Sequence, residues 1–302
     1  MSTYSLAVIG LIFTTFIWGI TFELVEEALK SIPPALFSTI RFLIASFCIL
    51  LLIFFKYKKL NITRDEFMAG FICALFLSLG YVFQSYGLWN NTLYMQSDPN
   101  KSAFITGTSV LMVPIIMLIM GKKNQSIHLW ISIFIVLLGL SILLNPNVAK
   151  FTMGDLLTFG CSLSFATHII YQGKYLIEKI KNIYNFFFIQ MSIAALLFFI
   201  IAFFEKQFLY QFLVVTPEWN KIVLVGVLIT GILATFVAIL IMVWAQKIVS
   251  PVQTAMLFTL EPVFAGVFNH FFTEHRLSSL GIFAGLIIIS GIVYHEYKVN
   301  EA

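Results

Sequence analysis

Glu261 stands in the middle of an apolar run from Val252 to Phe272, and the next residue is Pro262. A charged side chain at bilayer depth costs roughly 2.5–3.5 kcal/mol on insertion scales, so it is expected to face a cavity or a partner. Proline removes a backbone donor and crowds the turn before it, which lipid tolerates only where protein or cavity water satisfies the freed carbonyl. Charge and helix defect coincide here, an arrangement that suggests a path for a solute or a proton. A carboxyl at that depth serves proton exchange if its charged and neutral forms lie close in free energy. The alternative is a permanently protonated Glu261 that only hydrogen-bonds a neighbouring helix.

Other polar side chains interrupt the apolar runs. Arg41 lies about a turn and a half into the second run, and its guanidinium needs an anion or the aqueous interface. Two readings follow: the side chain snorkels outwards or pairs with Glu23, Glu26 or Glu27, or it attracts an anionic group such as a substrate carboxylate. His168 could relay protons, although a lone membrane histidine is more often a hydrogen-bonding packing residue. Gln84, Gln190 and Gln246 can donate and accept at depth, and each could equally tie two helices together. With Tyr81, Trp18 and Trp244 they make a candidate aromatic and polar cavity lining, against the simpler reading of aromatic packing.

The elements that carry these groups follow from composition. Of 302 residues, 60% are hydrophobic and 11% charged, too few charges for the shell of a soluble domain. The expected class is an all-α polytopic membrane protein. Apolar runs of bilayer length fall at 4–22, 34–55, 67–89, 102–120, 127–144, 153–173, 183–204, 219–245, 252–272 and 279–297, which makes ten transmembrane helices. Pro33-Pro34 and Thr63-Arg64-Asp65-Glu66 read as helix starts. The first run has no basic segment before it and reads as a retained anchor. With the N-terminus cytoplasmic, Lys56, Lys58, Lys59, Arg64, Lys122, Lys123, Lys174, Lys179, Lys181, Lys247 and Lys298 lie inside, eleven cations. Six lie outside: Lys30, Lys101, Lys150, Lys206, Lys221 and Arg276. The bias places both termini in the cytoplasm.

The chain also repeats itself. Aligning Pro114 with Pro262 brings Leu111-Met112-Val113-Pro114 onto Thr259-Leu260-Glu261-Pro262, and nearly the same offset sets Arg41 on Gln190. Four extra residues later, Leu138-Gly139-Leu140 meets Ser290-Gly291-Ile292. Five spans per half is an odd number, so corresponding helices must cross the membrane in opposite senses. The expectation is two inverted five-helix repeats, 1–148 and 149–302, with a site at mid-membrane between them and helix breaks at Pro114 and Pro262. Gly281 with Gly285, and Ala234 with Ala238, form small-xxx-small faces for close helix contact, inside the bundle rather than across a dimer. A monomer and a homodimer both remain open.

In order along the chain, Trp18-Gly19-Ile20-Thr21-Phe22, Arg41-Phe42-Leu43-Ile44-Ala45, Ser102-Ala103-Phe104-Ile105-Thr106 and Gly154-Asp155-Leu156-Leu157 resemble the drug/metabolite transporter superfamily, in particular its ten-helix EamA-type exporters. Trp244-Ala245-Gln246, Ser250-Pro251, Leu260-Glu261-Pro262-Val263-Phe264-Ala265, Glu274 and Gly285 through Gly291 continue the likeness, which spans nearly the whole chain. The Asn90–Lys101 loop is longer and more polar than is usual there, and Glu23, Glu26 and Glu27 replace a lysine expected after the first helix. The resemblance implies a secondary transporter exporting small metabolites or drugs across a bacterial inner membrane, in exchange for protons. No hydrolase elbow, zinc-protease motif, Walker loop or aspartate pair is present. The scattered cysteines Cys48, Cys73 and Cys161 suggest neither a disulfide nor a metal site. No cofactor, metal or nucleic-acid partner is expected; the partners are a small-molecule substrate and the bilayer. The competing classes are an intramembrane enzyme and a receptor or scaffold.

Overall fold

The computed structural model describes residues 2–89, 95–122, 125–146, 150–205, 219–272 and 277–301. Glu274 and the first half of the Asn90–Lys101 loop lie outside these residues. Among the described residues ten helices are long and apolar enough to span a bilayer, the first five being α1 Thr3–Leu29, α2 Pro34–Tyr57, α3 Arg64–Leu88, α4 Pro99–Ile119 and α5 Ile127–Leu144. The second five are α6 Met153–Glu178, α7 Ile183–Phe204, α8 Lys221–Ala245, α9 Pro251–Phe272 and α10 Ser279–Glu301.

Local chemistry sets their ends. Thr63 and Glu66 form a capping box at the start of α3, as do Thr152 and Asp155 for α6 and Ser250 and Gln253 for α9. Pro33 precedes α2 and Pro34 opens it. α1 runs seven residues beyond the expected end at 22, because Glu23, Glu26 and Glu27 are good helix formers and the first breaker is the Ser31–Pro33 stretch. Glu27 pairs with Lys30 there.

Six helix pairs organise the packing. α3 lies antiparallel along α6, with Phe76 stacked on Tyr171 and Gly87 backed against Gly154 and Thr158. α1 lies antiparallel along α8, where Thr14 Oγ1 donates to Ala238 O (3.1 Å) and Trp18 Nε1 to Ala234 O (2.8 Å). These contacts place the Ala234/Ala238 face inside the bundle, as Gly285 against Val263 does for α10. α1 runs parallel to α9, and α6 parallel to α4. Finally α2 crosses α7, with Phe42 stacked on Phe198 at 5.5 Å and Ser46 Oγ 2.7 Å from Ser192 Oγ, and α5 crosses α10. Exchanging α1–α5 with α6–α10 leaves this pattern unchanged.

The α5–α10 crossing shows the exchange in atomic detail. A methyl built on Gly139 would stand 2.7 Å from Ile288 and 3.0 Å from Ala284 O; one on Gly291 would stand 2.8 Å from Val136 and 3.2 Å from Ser132 O. With Gly139 aligned to Gly291, Val136 aligns to Ile288 and Ser132 to Ala284. Each side of the crossing therefore makes the contacts of the other, as in an isologous interface.

Two large apolar cores result, with two smaller clusters where α1 meets α2 and α8. One gathers residues of α1, α4, α5, α6, α8, α9 and α10; the other gathers residues of α2, α3, α6, α7 and α8. Trp18 borders both. Large apolar side chains such as Phe55 (85% exposed) cover the outer surface, which suits contact with lipid.

Candidate functional site

Arg41 is 4% exposed, and it neither snorkels nor meets Glu23, Glu26 or Glu27. Its Nε donates to Thr235 Oγ1 at 2.9 Å. Thr235 lies in an eight-residue π-helical segment of α8, Thr230–Val237, where its own hydroxyl donates to Thr230 O, five residues back, at 2.9 Å. The guanidinium stands 4.8 Å from the centre of the Tyr81 ring, with the rings of Phe37 and Phe42 at 5.8 and 5.9 Å. Ring faces attract a cation, more strongly where water is excluded. This enclosure replaces the expected acidic partner: among the described residues no carboxylate oxygen lies within 4.0 Å of Arg41.

Tyr81 lies between this cation and the field of Glu261, touching only the former. Edge contacts with Phe42 and Phe165 fix its ring, and it lies within electrostatic range of Arg41, Glu261 and Cys161. Glu261 opens the second part of α9 and is half-buried; its carboxyl meets no hydrogen-bonding partner among the described residues. Gly19 lets α1 approach closely here, since a methyl on it would stand 2.7 Å from Glu261 O and 2.9 Å from Ala265 N. Trp18 then sets its ring edge-on to Phe258 at 4.9 Å. On α4, Thr106 Oγ1 lies 3.9 Å from Cys161 Sγ. Arg41, Tyr81, Trp18 and Glu261 thus border one interior region, with Gln84 half-buried one turn beyond Tyr81 on α3.

His168, Gln190 and Gln246 form a separate group. Gln190 Nε2 donates to His168 Nε2 at 2.6 Å, and Gln172 Nε2 donates to Gln246 Oε1 at 2.6 Å. Gln246 Nε2 in turn donates to Ile169 O at 3.2 Å. The four side chains are 2% exposed or less, so they tie α6, α7 and α8 together. Gln190 Oε1 and Gln172 Oε1 have no partner among the described residues. Trp244 packs farther along α8, over Gly10 of α1.

The helix breaks do not fall at the prolines. Pro114 lies inside a helical stretch, and α4 is interrupted at Thr108; α9 is interrupted at Thr259 and Leu260, before Pro262. The proline ring crowds the carbonyl one turn earlier, which moves the defect to its N-terminal side. Both threonines back-bond three residues, Thr108 Oγ1 to Ile105 O and Thr259 Oγ1 to Met256 O, each at 2.6 Å.

Sequence reasoning also missed two polar clusters near the helix ends. Lys101 Nζ contacts Asp155 Oδ2 at 2.8 Å and donates to Lys150 O, while Ser97 Oγ donates to Asp155 Oδ1 at 2.6 Å. At the opposite face Tyr4 Oη donates to Glu296 Oε2 at 2.7 Å and accepts from Gln253 Nε2 at 2.6 Å. Among the described residues there is no group of acidic, histidine and cysteine side chains fit to hold a metal.

This arrangement can be set beside known proteins. The description "EamA-like transporter family" matches residues 5–145 and again 152–295. An "Uncharacterized transporter" of Archaeoglobus fulgidus is 30% identical over 291 residues, covering 96% of this chain and 86% of that one. The "Uncharacterized inner membrane transporter YedA" of Escherichia coli is 27% identical over 176 residues, 56% of this chain and 54% of the relative. A crystal structure superposes with a TM-score of 0.75 over 98% of both chains at 16% identity, a likeness of fold. With the family pattern matched twice in succession and ten membrane-spanning helices to carry it, this chain belongs to the EamA-like transporter family.

Proposed function

We propose that the chain is a secondary active transporter that exports small metabolites, amino-acid-like compounds among them, or drugs, by alternating access and in exchange for protons. Residues 1–148 and 149–302 act as inverted five-helix repeats, a reading supported by the two successive family matches and the reciprocal α5–α10 crossing. The working membrane is a bacterial inner membrane, with both termini cytoplasmic. Substrate contacts are assigned to Trp18, Arg41, Tyr81, Gln84 and Trp244, and Gln190 and Gln246 hold the surrounding helices.

One observation carries this reading. Arg41 and Glu261, opposite in charge and from opposite halves, both lie within electrostatic range of Tyr81 inside the bundle. Among the described residues the Glu261 carboxyl has no hydrogen-bonding partner, whereas its counterpart Val113 is fully buried in the core. A packing role needs no carboxyl at that place, and a proton-exchanging role does.

The test is Glu261→Gln in proteoliposomes, which keeps size and hydrogen bonding and removes titration. The variant is expected to lose gradient-driven transport while retaining substrate exchange. If it drives uphill transport as well as the parent, with the same pH dependence, coupling lies elsewhere and His168 is the next residue to replace.

A further inference from the structure

Thr235 uses its hydroxyl hydrogen on Thr230 O, so toward Arg41 it can only accept. That five-residue back-bond matches the π register of this segment and fixes the Thr235 rotamer. The guanidinium is consequently held at its Nε edge by a neutral acceptor, and the Tyr81 hydroxyl, also neutral, is its other side-chain hydrogen-bonding partner. A guanidinium presents five donors in a rigid fork that matches the two oxygens of a carboxylate, and the Nε bond consumes one of the five. The rings of Tyr81, Phe37 and Phe42 cover its faces but bring no formal negative charge. A buried cation calls for a counter-charge, and within 4.0 Å the described residues supply none. Glu261 reaches Tyr81 electrostatically and makes no ion pair with Arg41.

We propose that Arg41, aimed by Thr235 on the π turn, is an oxyanion subsite that takes the carboxylate of an organic anion, whose apolar body lies against the rings beside it. The proposal rests on the transport reading for its purpose, but binding can be measured without transport. Thr235 is a positioning residue and touches no ligand. Inorganic anions share the charge and lack the apolar body, so the measurement must separate them.

Thermal unfolding of the purified full chain in lipid nanodiscs, at constant ionic strength, reads the subsite. The probes are benzoate, its neutral isostere benzamide, acetate, chloride and inorganic phosphate. Benzoate is expected to raise Tm, acetate to do so less, and benzamide, chloride and phosphate not to. Arg41→Gln abolishes the benzoate shift. Thr235→Val raises the benzoate concentration for half-maximal shift about tenfold, the scale of a lost hydrogen bond to a charged group, and Thr235→Ser restores it. A purely structural Thr235 would lower Tm with no change in that concentration, which would overturn its assigned role. Three results overturn the subsite: benzamide matching benzoate, a benzoate shift that survives Arg41→Gln, or no shift from either carboxylate in the parent chain. Chloride or phosphate matching benzoate assigns the site to an inorganic anion and removes the organic one. Because no gradient is applied, failure of proton coupling at Glu261 leaves this result standing, and a failed subsite leaves the coupling test intact.

Discussion

Glu205 is the first residue past the apolar end of α7, outside the span, yet only 4% exposed. Tyr86 Oη donates to it at 2.9 Å, and the Ala35 backbone N–H reaches the same carboxyl. It therefore closes the start of α2, where Pro33 and Pro34 have no N–H to offer. Burial outweighs both donors and pushes its pKa up to about 7 from 4.5. The folded chain then keeps a proton that the unfolded chain has released, so this contribution to stability falls as pH rises from 4.5 to about 7. Tm measured across that window should decline in the parent, and Glu205→Gln should flatten the decline. Parallel curves for the two proteins would rule out Glu205 as the source. At this scale Arg41 and Glu261 were legible in the sequence, because a charge in an apolar run has few uses. Thr235 was not, since a threonine in a membrane helix ordinarily bonds its own preceding turn. Lys101 and Asp155 were hidden too: each sits at a helix start, where solvated charges are common.

Helices as units were easier to read than their internal defects. The ten spans, their order and the capping box at Thr63 all follow from run length and start signals. The π segment of α8 does not, because Thr230–Val237 has the composition of any apolar helix. Nor does proline mark its own break, as the interruptions at Thr108 and Thr259 show. The close approach of α1 to α9 at Gly19 makes a sharp test of how the elements meet. A methyl there would collide with backbone at Glu261 and Ala265 rather than with a yielding side chain. Gly19→Ala should therefore destabilise the fold by about 1–3 kcal/mol, the usual scale for overpacking, and should impair transport more than the same change at Gly285, where a methyl would meet only Val263 at an ordinary 3.5 Å. Equal Tm and transport for parent and Gly19→Ala would mean that helix 9 slides freely past helix 1.

For the molecule as a whole, the proposed topology has both termini in the cytoplasm, as an even number of spans and the eleven-to-six cation bias would require. A fluorescent reporter that matures only in the cytoplasm should light up when fused to either end. A C-terminal alkaline phosphatase fusion active in the periplasm would invert the topology and move the Lys101–Asp155 cluster to the inside.

The α5–α10 crossing has a consequence for how such a chain can be divided. Gly139 with Ile288 and Gly291 with Val136 make nearly one contact twice over, so at this seam each half presents to the other a surface much like the one it receives. A five-span fragment has its ends on opposite faces of the bilayer. Two identical fragments can close this seam only if one is inserted upside down relative to the other. On the proposed inverted repeat, covalent linkage of the halves would fix two opposite insertions in one polypeptide. It also frees each half to acquire its own chemistry, such as the arginine of one and the glutamate of the other, which no pair of identical fragments could hold singly.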